Sequence, residues 1–145
     1  MMPIGSQIAR FMLSVMTAMI SVSAAWAVPS SASEPREITV QEAQALVKSA
    51  LPRTSTQLSN FSVEFGKDSS TPRFYSLSAL WSGEGAVSVM IGNYWVDRRT
   101  GDVWNAAICE ELASPGLEAV KEKLRKTIGL SKYKYKKLRI KGPMC

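Results

Sequence analysis

Histidine is absent from the 145 residues of the sequence. This absence excludes a histidine general base, a Ser-His-Asp or Cys-His nucleophile pair and any zinc site that depends on imidazole. The sequence also lacks a P-loop, a Gly-x-Gly-x-x-Gly loop and the Gly-x-Ser-x-Gly elbow, and no Ser-x-x-Lys motif stands at the start of either predicted helix. Carboxylates are therefore the catalytic side chains that remain to be considered.

The carboxylates do not form an obvious catalytic pair. Glu110 and Glu111 are adjacent, so a strand would point them to opposite faces and a helix would separate them by about 100°. A pair of Glu64 and Glu84 across neighbouring strands is the enzymatic alternative that stays open. We predict a protein that is not an enzyme and that has no metal site and no cofactor.

Long apolar runs are also missing. The main apolar segment extends from Phe11 to Ala25, which is too short to cross a bilayer core comfortably, and it ends in the small-x-small pattern Ala25-Trp26-Ala27. We therefore predict a signal peptide over residues 1–27, a flexible lead over 28–37 and a single domain over 38–145. The mature protein is then periplasmic or secreted and not transmembrane. An uncleaved anchor is the alternative, disfavoured by the Ser and Thr residues between positions 14 and 23.

The sequence has two cysteines, Cys109 and Cys145, and both follow the predicted cleavage site. An exported chain favours a disulfide between them. Such a bond would close a loop of about 37 residues and stabilise the protein by roughly 4 kcal/mol on the chain-entropy model. Free thiols or a bond between chains are the alternatives. A bond within the chain would tie the C-terminal tail to the domain.

Charge is unevenly distributed along the chain. The net charge is +6, but residues 121–145 carry ten Lys or Arg against one acid, whereas residues 28–120 carry seven against eleven. Tyrosines alternate with lysines in the tail, which suits anion binding. In an exported protein we expect an envelope lipid, a cell-wall polymer or an acidic protein as the partner, and no nucleic acid. The predicted anion-binding residues are Lys132, Lys134, Tyr135, Lys136, Lys137 and Arg139. The alternative is a solvated edge strand whose lysines discourage aggregation.

Apolar spacing predicts two helices. Thr39 and Glu42 fit a capping box ahead of an amphipathic helix that ends at Pro52. Ser114-Pro115 predicts the start of a second amphipathic helix, which ends at Gly129. The tail from Ser131 to Cys145 fits an edge strand with a bulge or an extended arm.

Alternation of apolar and polar residues predicts four strands between the two helices. Gly92 is expected to mark a bulge, and Gly101 to adopt positive φ in a tight hairpin. The predicted strands cover residues 61–65, 73–81, 86–96 and 103–109. A helix, a four-stranded antiparallel meander, a C-terminal helix and a basic tail make an α+β domain, with both helices on one sheet face and a cystatin-like arrangement.

The hairpin between the last two predicted strands resembles that of PepSY-type domains. The matching positions are Tyr94, Val96, Asp97, Thr100, Gly101, Asp102 and Val103. The resemblance implies a small, often extracytoplasmic module that binds or inhibits other proteins. Small periplasmic immunity proteins and lysozyme inhibitors share the same general profile.

These observations predict an exported protein-binding module that inhibits an envelope enzyme or acts as an immunity-type protein. A projecting charged turn flanked by aromatic side chains would be its contact surface, since Trp and Tyr dominate interface hot spots. The predicted partner-binding residues are Trp95, Asp97, Arg98, Arg99, Asp102 and Trp104. The alternative is a cationic protein that engages anionic lipid or cell-wall polymer through its tail.

Overall fold

The computed structural model describes residues 34–67, 70–83, 87–140 and 142–143. Within them the chain forms an α+β structure of helices and an antiparallel sheet. The predicted signal peptide, most of the predicted flexible lead and Cys145 lie outside the described residues. In chain order the elements are α1 (Val40–Ala50), α2 (Arg53–Thr56), β1 (Phe61–Phe65), β2 (Phe74–Ser82), β3 (Ser88–Asp97), β4 (Val103–Asn105), β5 (Glu110–Glu111), α3 (Pro115–Thr127) and α4 (Lys132–Leu138).

The sheet is a meander in the order β1-β2-β3-β4-β5, and each strand pairs antiparallel with its neighbour. Five strands replace the four predicted, because the strand expected over residues 103–109 ends at Asn105. The chain then turns, with the Ala106 N–H donating to the Asn93 carbonyl, and resumes as β5. The bulge expected near Gly92 is present: Ala79 pairs with Gly92, but Leu80 pairs with Met90, so Ile91 is the extra residue.

Helix α1 begins as its sequence predicts. The Thr39 hydroxyl accepts from the Glu42 N–H at 3.2 Å, and the Glu42 carboxylate accepts from the Thr39 N–H at 2.7 Å. Arg36 also binds this carboxylate and, mainly through that hydrogen bond, lowers the pKa of Glu42 to about 2. The helix ends before Pro52, which cannot continue it. Its buried face packs on the sheet through Ala43, Leu46 and Val47.

Helix α3 packs beside α1 and contributes to the same core. The Ser114 hydroxyl accepts from the Leu117 N–H at 3.1 Å, and Pro115 occupies the first helical position. After the helix, Gly129 adopts a φ of 75° that favours glycine. The two predicted helices are therefore confirmed. The sheet residues beneath them are Val63, Leu77, Ala79, Tyr94, Val96 and Val103.

The tail differs from its prediction as an edge strand or extended arm, because residues 132–138 form a helix, α4. The Ser131 hydroxyl caps it by accepting from the Lys134 N–H at 3.2 Å. Tyr135 and Leu138 are three residues apart and pack against the core, which is helical rather than strand spacing. In the sequence, the alternation of lysine and tyrosine has the period of a strand, and it overlaps the helical spacing of Tyr135 and Leu138.

Candidate functional site

Most residues of the turn between β3 and β4 are buried. Asp97 and Asp102 are fully buried, and Thr100 is 1% exposed. One oxygen of Asp97 accepts from the backbone N–H groups of Arg99 and Thr100, at 2.8 and 3.2 Å. Gly101 adopts a φ of 72°, as predicted, and faces the Leu46 side chain of α1. The turn therefore does not project into solvent as a whole: Gly101 packs against Leu46 and Leu124, and only Arg99 of the turn is exposed.

The predicted partner-binding residues therefore differ in accessibility. Asp97, Asp102 and Trp104 are buried, and the Phe74 ring meets Trp104 edge to face at 5.8 Å. Trp95 is half-buried beside Trp104, on the sheet face opposite the helices. A partner-binding role for this set stays a prediction, and the geometry leaves few of its members open to a partner.

The two arginines of the turn also differ in their exposure to solvent. The Arg98 guanidinium lies 4.3 Å from the centre of the Tyr75 ring and is half-buried. Arg99 is exposed, with its nearest acid, Glu37, at 3.9 Å. Arg99 is thus the exposed member of the predicted set.

Arg73 joins the turn to the end of α4. Its Nε donates to the second oxygen of Asp97 at 2.9 Å, and one of its terminal nitrogens donates to the Leu138 carbonyl at 2.6 Å. A positive charge at a helix C-terminus also interacts favourably with the helix dipole. Arg73 therefore connects a buried carboxylate of the turn with the last turn of the basic helix.

Asp102 is the centre of a buried charge cluster. A single oxygen of this carboxylate lies 2.9 Å from the Lys121 ammonium and 2.8 Å from the Arg125 guanidinium, and it accepts a hydrogen bond from the Tyr135 hydroxyl at 3.1 Å. Lys121 is 2% exposed, and Arg125 stacks 3.8 Å above the centre of the Tyr135 ring. The other oxygen of Asp102 is buried without a hydrogen-bond partner among the described residues. Asp102 thus holds both α3 and α4 against the turn.

Protonation in this cluster favours these contacts. Burial lowers the pKa of Lys121, but attraction to Asp102 and the hydrogen bonds to Glu118 and Asp102 outweigh it, and the pKa is raised overall. Burial, followed by the negative charge of Asp102, raises the pKa of Tyr135. At neutral pH Lys121 is therefore a cation and Tyr135 a hydrogen-bond donor.

Acidic residues surround the cluster nearer the surface. Glu118 accepts from Lys121 at 2.9 Å, and Glu111 lies 3.7 Å from the same ammonium group. Glu111 also binds Arg139 at 2.6 Å. Arg139, just after α4, is therefore linked to the β5 edge of the sheet.

A groove of about 820 Å³ lies between α3 and α4, above the charge cluster. Lys132 and Lys136 line it from one side of α4, four residues apart, whereas Lys134 and Lys137 do not line it. Tyr135 and Arg139 also border the groove, so four of the six predicted anion-binding residues share it. The remaining lining residues are Glu118, Ala119, Glu122, Arg125, Lys126 and Leu130.

Several residues of the site were not among the predicted ones, above all Arg73, Lys121 and Arg125. A signal for Lys121 exists in the sequence, since it lies four residues after Leu117 on the apolar stripe of α3. A lysine on an apolar stripe needs a buried counterion. That signal indicates an acidic partner but does not identify Asp102.

The enzymatic alternative, a pair of Glu64 and Glu84, stays a prediction. Glu64 and Glu110 are exposed, and Glu84 lies outside the described residues. No group of three or more Cys, Asp or Glu suited to a metal ion occurs in the described part of the chain. Within the same part, no helix has the length and apolarity that a membrane span requires.

No protein-family model and no curated protein matches the chain. A chain in a solved structure described as a type VI secretion system effector–immunity complex from Pseudomonas protegens is similar in fold. The two share 20% sequence identity with a TM-score of 0.51, over 70% of this chain and 85% of that one. At this identity the likeness concerns the fold alone.

Proposed function

We propose that this chain is a non-catalytic protein-binding module of the immunity type, which binds and thereby inhibits another protein. The observation that carries the proposal is the groove between α3 and α4, whose cationic side is held in place by the buried carboxylates of the turn. A rigidly supported helix loses little freedom on binding, which favours a specific interface. The fold likeness to a chain of an effector–immunity complex agrees with this role.

The state of the interior carboxylates supports a role without catalysis. Asp97 and Asp102 are buried and engaged by Arg73, Lys121 and Arg125. A carboxylate that is enclosed and bound to cations cannot reach a substrate. The PepSY-like hairpin remains part of this proposal, because PepSY-type domains are associated with binding or inhibition. The cystatin-like arrangement remains a proposal about the fold.

Export is the second part of the proposal. Cleavage after Ala27 would place the mature protein in the periplasm or outside the cell, where a bond between Cys109 and Cys145 can persist. Intact mass spectrometry of protein from the envelope fraction tests both points. We expect a chain that begins at Val28 and gains the mass of one hydrogen pair on reduction. A chain that retains residues 1–27 would contradict cleavage, and an unchanged mass would contradict the disulfide.

Binding is tested with protein purified from cells that express the full chain. A protein crosslinked to it in the envelope would be identified, purified separately and mixed with it. We expect a complex of defined stoichiometry in size-exclusion chromatography and reduced activity of the captured protein. If no captured protein forms a complex when both components are pure, the proposed function is wrong.

The exposed lysines of α4 favour a second candidate, a cationic protein that binds anionic lipid or cell-wall polymer. Lys132, Lys136 and Lys137 are all exposed on this short helix. Binding through exposed charges should weaken steeply as ionic strength rises, whereas a contact centred on packed aromatic groups should weaken less. Sedimentation with vesicles containing phosphatidylglycerol, at low and high salt, distinguishes this candidate from the first.

A further inference from the structure

We propose that the groove between α3 and α4 binds an acidic segment of the partner protein, with two carboxylates of that segment on Lys132 and Lys136. This inference rests on the proposed function and names the chemistry of its partner. The argument depends on which cations of the groove are already engaged.

Three of the five cations that line the groove have partners. Arg125 binds Asp102 at 2.8 Å, Arg139 binds Glu111 at 2.6 Å and Lys126 binds Glu122 at 3.1 Å. Lys132 and Lys136 are exposed and form no ion pair with any residue in the described ranges. Lys132 attracts the Glu122 carboxylate without forming an ion pair with it. These two lysines therefore carry the charge that is most available to a ligand.

Their spacing sets the spacing of the ligand's charges. Residues four apart on a helix have Cβ atoms about 5–6 Å apart on the same side. Two carboxylates three or four residues apart on a partner helix, or two apart on a partner strand at about 6.6–6.8 Å, match that separation. The ligand is thus expected to carry paired rather than single acids.

The opposite side of the groove distinguishes a protein from a polyanion. Glu118 and Glu122 of α3 border the groove, with side chains 50% and 63% exposed, and their ion pairs with Lys121 and Lys126 leave this side of the groove without unpaired positive charge. A phosphate polymer or a lipid surface carries negative charge on every side and would meet these two carboxylates with no free cation beside them. A protein segment can place acids toward α4 and neutral or basic side chains toward α3. The two-signed groove therefore favours a protein segment.

The apolar and aromatic lining of the groove suits a specific protein contact. Leu130 and Ala119 provide apolar surface, and the Tyr135 ring is held by its hydroxyl on Asp102 and by the stacked Arg125 guanidinium. A fixed tyrosine supplies contact area with little further loss of rotamer freedom. An apolar side chain between the two acids of the ligand would cover this lining.

The chain's own N-terminal segment does not have the required chemistry. Residues 1–33 contain no Asp or Glu, and their one charged side chain is Arg10. A separate protein is therefore the source of carboxylates that we propose.

Two double variants with the same change in charge test the assignment. Lys132→Glu with Lys136→Glu reverses the groove lysines, whereas Lys123→Glu with Lys137→Glu reverses exposed lysines of the same helices that do not line the groove. The first probe is a synthetic helical peptide with two glutamates four residues apart and otherwise neutral side chains. The second probe is the purified captured partner. Unchanged circular dichroism and thermal unfolding establish that both variants fold.

We expect the groove variant to bind both probes at least about tenfold more weakly than the wild type, and the control variant to stay within about threefold. A peptide with two lysines in place of the glutamates should bind the groove variant and not the wild type. Phosphatidylglycerol vesicles or heparin binding through the groove lysines, without binding of the glutamate peptide, would overturn the choice of a protein ligand.

The two proposals fail in different ways. A purified partner that binds the groove variant as tightly as the wild type overturns the groove assignment and leaves the proposed function intact. Groove-dependent binding of the glutamate peptide with no protein partner overturns the proposed function and supports the ligand class of the groove.

Discussion

The turn from Asp97 to Asp102 and helix α4 are both rich in charge, but they use it in opposite ways. The carboxylates of the turn are fully buried and engaged by arginine, lysine and tyrosine. Most lysines of α4 are exposed, and none forms an ion pair within the described residues. A charged residue in a sequence is therefore evidence for a binding surface only if it has no buried ion-pair partner within the protein. A charge that is buried must have such a partner, because burying it alone is very costly.

The two regions are also connected. Tyr135 of α4 donates to Asp102, and Arg73 links Asp97 with the Leu138 carbonyl at the end of α4. The acids of the turn thus hold the helix whose lysines face the groove. Removing charge from the turn should cost stability, whereas removing it from α4 should cost binding.

The largest effect is expected from Asp102→Ala. The substitution leaves Lys121 buried without its main counterion and should reduce the free energy of unfolding by about 3–5 kcal/mol in urea denaturation. Glu122→Ala removes an exposed acid that pairs with Lys126 and should cost less than about 1 kcal/mol. Equal losses for the two variants would show that burial does not distinguish these charges.

A smaller loss is expected from Gly101→Ala. The left-handed conformation should cost about 1–2 kcal/mol, and the new Cβ would also meet Leu46 at 3.3 Å. Gly129→Ala is the matched control, because it has a similar φ but no atom within 4 Å of the added Cβ. In thermal unfolding, the Gly101→Ala variant should have a lower midpoint temperature than the Gly129→Ala variant. The reverse order would contradict a tightly packed turn.

Tyr135→Phe should have a more modest effect. It removes the hydrogen bond to Asp102 but keeps a ring beneath Arg125, so we expect a loss of about 0.5–1.5 kcal/mol in urea denaturation. Tyr133→Phe, at a residue 77% exposed, should cause no measurable change. A loss at Tyr133 as large as that at Tyr135 would count against the connection between α4 and the turn.

The smallest effect is expected from a change of pH between about 7 and 9, which should leave the contribution of Lys121 to stability unchanged. The raised pKa of Lys121 means that its contribution is fully present below the pKa of an unfolded lysine, about 10.4, and is lost as pH rises through the higher folded value. Urea midpoints of the wild type and Lys121→Met should therefore keep a constant difference up to pH 9 or so and converge only in stronger alkali. Convergence near neutral pH would contradict a charged Lys121.

Local patterns predicted much of the fold. The capping box of Thr39 and Glu42, the Ser114-Pro115 helix start and the positive φ of Gly101 depend on neighbouring residues, and each is confirmed. The antiparallel order of the strands also follows from short connections.

The site was less predictable because its contacts are distant in sequence. Tyr135 meets Asp102 across 33 positions, and Arg73 meets Leu138 across 65. No local sequence pattern predicts that α3 and α4 pack over the turn. The alternation of Lys and Tyr predicts an extended tail, whereas the structure shows a helix that Ser131 caps and that packs through Tyr135 and Leu138.

The most direct test of the link between turn and groove is amide hydrogen exchange of the Asp102→Asn variant, which keeps the size of the side chain but not its charge. We predict that residues 132–138 lose protection relative to β2 and β3, because α4 loses its support on the turn. Unchanged protection of residues 132–138 relative to the same strands would contradict the account.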